Sequence, residues 1–254
     1  MRSQQSWCIL SAMIRRAPLI TGEVYHVFNR GAHKADVFSN DTDRDRFLLL
    51  LYLANDSKSI NLRELGLKYK GRSFADAFSA IVPEKPLVDV LAYCLMPNHF
   101  HLMLRQKIDG GISTYIKKVA TAYSMYFNGQ YDHSGTLFQG RFKSSHVDNE
   151  PYFRYLLSYI HLNPLELIEP QWKEGKLHDA ARAREFLTGY RYSSFYDYTR
   201  KPVKRPERAV LSYTEIKDFL RGQCDLEEEL SVFNNSTTKD GPLCNLDFTK
   251  DRPL

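Results

Sequence analysis

Two histidines separated by one residue, His99 and His101, sit in the run HFHLMLR that follows Pro97 and Asn98. Side chains alternate faces along a strand, so both imidazoles would project one way and Phe100 the other, into a core. Two imidazoles on one face can share a metal ion, and with one oxygen ligand the set would admit Mg²⁺, Mn²⁺ or Zn²⁺. Further along, Tyr155, Tyr159 and Asn163 are spaced four residues apart. On a helix they form one stripe, with neighbours about 6 Å from each other. The carboxamide oxygen of Asn163 could complete a metal site, with the Tyr159 phenol one turn away, a nucleophile beside a Lewis acid. A phenol with its usual pKa near 10 needs a cation or a base to attack phosphorus at neutral pH, and a divalent ion on a phosphoryl oxygen supplies the electrophilic half. Taken singly, each pattern has a plainer meaning: a histidine pair on a half-buried strand, or a tyrosine-bearing helix packed on a sheet and ending before a proline.

The elements that must hold these groups are legible from periodicity. Glu23 to Asn29 clusters β-branched and aromatic residues and closes on Arg30 and Gly31, which predicts a strand. Asn40 is a good N-cap for a helix over Asp41 to Asn55, acidic in its first turn and then densely apolar. Val88 to Met96 and His99 to Arg105 read as a β-hairpin turning at Pro97 and Asn98. Ile112 to Phe127 has helical spacing and leads into a glycine-bearing loop, Asn128 to Gly135. Leu137 to Val147 alternates apolar and polar positions and predicts extended structure. Glu150 to Asn163 is the clearest helix, with a proline near its start and Asn163-Pro164 as its stop. This order predicts an α+β fold, an antiparallel sheet with packed helices, followed by a C-terminal helical or irregular extension.

The 254 residues are 43% apolar and 26% charged, which excludes wholesale disorder. The first apolar run, Trp7 to Ile14, falls well short of a membrane span, and the chain is expected to be cytoplasmic with no membrane partner. Four cysteines lie far apart without CxxC spacing, so neither a disulfide framework nor a cysteine zinc site is expected. Residues 225–254 carry seven acidic side chains against three basic, so the remaining body is more basic than the formal +5 of the whole chain. With 16 Tyr and 15 Phe, that body could meet a polyanion by charge and by stacking. No GxxxxGK[ST] loop signals a nucleotide triphosphate.

The motifs together resemble a known family. PNHFHLML at Pro97 to Leu104 is similar to the His-hydrophobe-His signature of HUH endonucleases. YIHLNP at Tyr159 to Pro164 resembles the tyrosine helix of REP-associated tyrosine transposases and their insertion-sequence-200-like relatives. YHVFNRG, DRFLLLL, GTLFQGRFKS and YRYSSFYDY follow in the family's order, and the likeness runs from about Ile14 to Tyr198. The resemblance implies a ferredoxin-like fold of HUH endonuclease type. It also implies a transposase or site-specific endonuclease that cuts single-stranded DNA, holds it as a 5′-phosphotyrosine and rejoins it, at repeats containing hairpins. By the same carry-over, His99 and His101 are metal ligands that serve catalysis, Tyr159 is the nucleophile and Asn163 the third ligand. The cofactor expected is a divalent ion, Mg²⁺ or Mn²⁺, and the partner single-stranded or hairpin DNA, bound by a monomer or homodimer.

Arg105, Lys117, Lys118, Arg141 and Lys143 are candidate phosphate contacts, with Arg141 and Lys143 on one strand face. Arg200, Lys201, Lys204, Arg205 and Arg208 form a second basic patch that could follow DNA as a flexible arm. The expected organisation is an N-terminal extension over 1–16, outside the fold, with Met13 an equally good start. A catalytic domain over 17–165 follows, carrying an insertion at 56–85, then a basic extension over 166–224 and a flexible acidic tail over 225–254. Two other functions remain open: a non-catalytic DNA or RNA hairpin-binding regulator on the same scaffold, and a nickase of the replication-initiator or relaxase type. The order of HxH before tyrosine disfavours the relaxase.

Overall fold

In the computed structural model, residues 18–58, 78, 82–174, 176–199, 205–216 and 228–231 are described. The N-terminal extension and most of the insertion and of the acidic tail therefore lie outside the described residues. Strand β1 (Val24–Arg30) leads to helix α1 (Asp41–Leu53), then to β2 (Val88–Met96), β3 (His99–Gln106), helix α2 (Gly111–Tyr131) and β4 (Lys143–Val147). All pairings are antiparallel in the order β2-β3-β1-β4, the ferredoxin-like split β-α-β arrangement anticipated from the sequence. Helix α3 (Glu150–Leu162) follows the last strand.

Local chemistry sets the helix starts. Asn40 accepts from the Asp43 amide at 3.1 Å to begin α1, and Asn149 accepts from the Tyr152 amide at 2.8 Å to begin α3. Strands β2 and β3 are buried along nearly their whole length, because the sheet is covered on both faces. On one face Phe100 meets Phe47 of α1 at 5.1 Å between ring centroids, and Phe47 meets Tyr123 of α2 at 5.0 Å. On the other face His101 meets Tyr159 of α3 at 5.3 Å. Helices α1 and α2 thus form one layer, and α3 covers the histidine side.

Several boundaries differ from the periodicity reading. Helix α2 runs on through Tyr131, whose hydroxyl donates to Asp43 at 2.7 Å, and it ends at Asp132 in the left-handed region with φ 48°. Only Lys143–Val147 of the extended segment is strand, so Arg141 does not share a strand face with Lys143. The α-helix stops at Asn163 as expected, with that residue as its C-cap, but the chain does not straighten there. Asn163 keeps φ −53° and ψ −37° and opens a 3-10 turn, Asn163–Leu167, because the fixed φ of Pro164 suits a first helical position and its missing N–H needs no partner there.

The extension folds onto the sheet instead of trailing from it. Along the outer edge of β2, Leu95 N–H donates to Tyr192 O, Ser194 N–H to Tyr93 O, and Ser212 N–H to Val90 O, each at 2.9 Å. Helices α4 (Ala180–Gly189) and α5 (Phe195–Thr199) flank this contact. Arg205, expected on a flexible arm, is instead pinned. It donates to the buried Asp197 carboxylate at 2.7 Å, to Arg191 O at 2.6 Å and to the Tyr93 hydroxyl at 3.0 Å. Asp197 is buried and needs that partner, since an unpaired carboxylate in the interior is strongly unfavourable. Arg208 caps the ring of Tyr213 at 4.4 Å, and the rest of that basic patch lies outside the described residues. Within the acidic tail, Glu229 is not flexible: it is buried and bonded to His161 Nδ1 at 2.8 Å.

Candidate functional site

Strand β3 begins at His99, opposite Arg30 of β1, and places His101 opposite Phe28. The two imidazoles share a face as the spacing requires, with centroids 5.0 Å apart and planes at 84°. Neither is an exposed surface histidine: His99 is 6% accessible and His101 fully buried. Burial pushes His99 down to about 4, with the Glu166 carboxylate opposing, and pushes His101 well below its ordinary value. Both rings are therefore neutral near pH 7.

The neighbours of each ring decide where its single proton sits. His99 Nδ1 lies 2.6 Å from Asn98 Oδ1, an acceptor whose own Nδ2 is engaged in donating to Lys34 O at 3.3 Å. A proton on Nδ1 leaves the lone pair on His99 Nε2, and the Asn163 carboxamide is the ring's other side-chain partner. His101 Nδ1 lies 2.9 Å from Nε2 of His26 on β1, while its Nε2 makes no hydrogen bond. With Nδ1–H donating to His26, the second imidazole presents a bare Nε2. An outer partner that fixes the tautomer is what a metal-bound histidine requires. His26 is itself pushed down to about 3 by burial, so it stays neutral and can accept that proton in the tautomer protonated on Nδ1.

Helix α3 brings the third and fourth groups. The Tyr159 ring meets His101 edge-on at 5.3 Å and His26 at 6.2 Å, and it stacks on Tyr155 at 6.2 Å. Tyr159 is half-buried whereas Tyr155 is buried. Asn163 is fully buried with its carboxamide close to His99, and neither Oδ1 nor Nδ2 is in a well-formed hydrogen bond. A buried polar atom left without a partner costs about 1–3 kcal/mol. A divalent ion would satisfy His101 Nε2 and Asn163 Oδ1 together, so His99, His101 and Asn163 fit such an ion. Among the described residues no group of three or more His, Cys, Asp or Glu could hold a metal ion, and an amide oxygen is the third donor offered here.

Four neighbours were not singled out from the sequence: His26, Asn98, Lys173 and Glu166. The Lys173 ammonium lies 5.3 Å from the Tyr159 ring centroid and 2.7 Å from Glu166 Oε2. His26 had a signal, since it shares its strand face with Phe28, against which it stacks at 4.8 Å. Lys173 had none, because it returns to the site on an irregular segment.

The basic candidates divide. Arg105 is engaged within the protein, donating to Asp89 at 3.1 Å and pairing with Glu215. Lys118 donates to the carbonyls of Asp56 at 2.5 Å and Lys58 at 2.8 Å, and with Lys117 it lies on α2, across the sheet from the histidines. Arg141 and Lys143 are exposed, and Lys143 Nζ stands 5.9 Å from the Phe28 ring, which in turn lies 5.8 Å from His101. An open cavity of about 480 Å³ lies between Ala32–Lys34 and Thr136–Gly140. Asn98, bonded both to His99 and to Lys34 O, joins its wall to the histidine pair.

Residues 63–163 match the family described as "Transposase IS200 like". That stretch contains His99, His101, Tyr159 and Asn163, and it begins inside the segment read as an insertion. Among solved structures, one described as a REP-associated tyrosine transposase bound to a REP hairpin is similar at a TM-score of 0.42 and 13% identity. The match covers 73% of this chain and 84% of that one. No curated protein matches.

Proposed function

We propose, for a chain whose residues 63–163 match the IS200-like transposase family, that it cleaves and rejoins single-stranded DNA at hairpin-containing sites through Tyr159. The observation that carries this reading is the Tyr159 ring standing 5.3 Å from His101, whose buried Nε2 makes no hydrogen bond. In the reaction the Tyr159 oxygen attacks phosphorus, the bond from phosphorus to the 3′ oxygen breaks, and that oxygen takes up a proton. DNA is left as a 5′-phosphotyrosine with a free 3′-hydroxyl. The phosphodiester energy is kept in the new ester, so reversal needs no triphosphate.

His99, His101 and Asn163 would hold Mg²⁺ or Mn²⁺, which when bound supplies Lewis acidity at a phosphoryl oxygen. Asn98 and His26 hold the two rings in the ligating tautomer. Stacking on Tyr155 and the edge contact with His101 orient the Tyr159 ring. Arg141 and Lys143 contact phosphates, and the cavity beside Asn98 takes an unpaired base next to the cut.

The test is incubation with labelled hairpin DNA carrying single-stranded flanks, in Mg²⁺ or Mn²⁺, followed by denaturation. A covalent adduct is expected from the unmodified protein and from Tyr155→Phe, and none from Tyr159→Phe, which retains binding. An adduct persisting in Tyr159→Phe removes that residue from the role. Tight hairpin binding with no adduct from the unmodified protein would instead establish the non-catalytic regulator.

A further inference from the structure

The mechanism leaves one charged pair unexplained. Glu166, on the 3-10 turn that opens at Asn163, and Lys173, on the turn Trp172–Glu174, form an ion pair of 2.7 Å whose ammonium lies 5.3 Å from the Tyr159 ring centroid. Both side chains reach solvent, 45% exposed for Glu166 and 23% for Lys173. The carboxylate is partly desolvated, yet the charge and hydrogen bond of Lys173 hold it below its usual range, with Arg30 adding to the effect. The other acid of this segment, Glu174, points to Lys176 at 3.0 Å. Among the described residues Glu166 is thus the anion that neutralises Lys173 beside Tyr159. A nucleophile in the Tyr159 position can act only if a phosphodiester brings its own negative charge to the same place.

Resting on the reading of Tyr159 as the nucleophile, we infer that Lys173 is a phosphodiester subsite for single-stranded DNA, and that Glu166 fills it as a stand-in anion until DNA displaces it. A lysine suits this exchange. Its ammonium is a point charge on a flexible stem and can turn from one oxygen acceptor to another without a fixed fork geometry. The pair it leaves is partly exposed, so the cost of opening it is small against contacts along a polyanion. Displacement leaves the Glu166 carboxylate beside the incoming phosphate. Glu166 thus lowers affinity for DNA while Lys173 raises it, opposite signs from two partners of one salt bridge. A purely structural pair would give the same sign for both.

The experiment measures binding of a labelled hairpin oligonucleotide by anisotropy, in EDTA and in a Tyr159→Phe background so that neither metal nor chemistry contributes. Glu166→Gln is expected to tighten binding roughly three- to tenfold, and Lys173→Gln to weaken it by a similar factor. Lys173→Gln should also reduce the slope of log affinity against log salt by about 0.7, and Lys173→Arg should restore most of the affinity. Unchanged or weakened binding in Glu166→Gln overturns the inference. So does a loss of Mn²⁺ affinity in Glu166→Gln measured by calorimetry without DNA, which would make that carboxylate a ligand. The adduct assay fails independently. An adduct with no tightening in Glu166→Gln leaves Tyr159 in place and removes the subsite, tightening without any adduct does the reverse, and no DNA binding at all removes both.

Discussion

His26 Nε2 and His101 Nδ1 lie 2.9 Å apart on adjacent strands, both buried, so a single proton between them fixes which nitrogen of His101 faces the site. The rings are near-parallel at 23°, and Tyr159 closes on both from the side. Replacing His26 by Phe should let His101 adopt the other tautomer. The Mn²⁺ concentration for half-maximal adduct formation is expected to rise about 10–100-fold. His26→Gln, whose amide oxygen can still accept from Nδ1–H, should recover part of the loss, while hairpin binding in EDTA stays unchanged. An unaltered Mn²⁺ dependence in His26→Phe would remove the tautomer argument.

The same burial makes stability depend on acid. His26 and His99 are pushed down to about 3 and about 4, against an ordinary value of 6.5. Above pH 6.5 the folded and unfolded chains are alike at these groups and stability is fully present. Below it the unfolded chain gains protons that the folded chain refuses, so stability falls as pH drops towards 4. Each histidine adds about 1.4 kcal/mol per pH unit to the slope. Urea denaturation in EDTA from pH 7.5 to pH 4.5 should show the midpoint dropping steeply below 6.5. A flat midpoint across that range would contradict neutral, buried rings.

Arg105 and Lys143 should respond oppositely to removal. Arg105 is tied to Asp89 and Glu215, and Arg105→Ala is expected to lower the melting temperature without changing DNA affinity or its salt dependence. Lys143 is exposed beside Phe28. Lys143→Ala is expected to leave the melting temperature within error, weaken hairpin binding and reduce the salt slope by about 0.7. Anisotropy titrations across KCl concentrations separate the two, and a reduced slope in Arg105→Ala would return that residue to the DNA interface.

Asn149 begins the helix that carries Tyr159 by accepting the Tyr152 amide at 2.8 Å. Asn149→Ala should cost about 1 kcal/mol of unfolding free energy, read from urea midpoints at unchanged m. Adduct yield per folded molecule should not change, because the cap lies more than two turns from Tyr159. A large loss of yield at full folding would mean that the helix start positions the nucleophile.

The parts of the site that follow from one segment's periodicity were legible in the sequence, and the parts made by strand register or chain return were not. His99 and His101 share a face because strands alternate, and Tyr159 stands one turn from Asn163 because helices repeat. Neither rule reaches across 75 positions to set His26 against His101, which is a matter of which strands are neighbours. Arg105 looked like a free cation because Asp89 and Glu215 meet it only after β2 and the extension have folded around it. Arg205 misled for the same reason: prolines and a run of positive charge suggest a loose arm, while the buried Asp197 that anchors it gives no local signal. Asn163 before Pro164 marked the end of the α-helix correctly, but that local rule gave no sign of the 3-10 turn that continues from it. Tertiary burial of Asn163 keeps the turn wound and holds its carboxamide at the histidines.

The rim of β2 is already taken by the stretch from Tyr192 to Ser194 and by Ser212. Among the described residues a foreign strand finds no open row of peptide groups there, and β4 is the opposite margin of the four-stranded sheet. That margin is five residues long and starts with a lysine. Among the described residues, strand addition would thus have one short side to use, and two copies joined through it would cover that side in both, a closed pair instead of a filament.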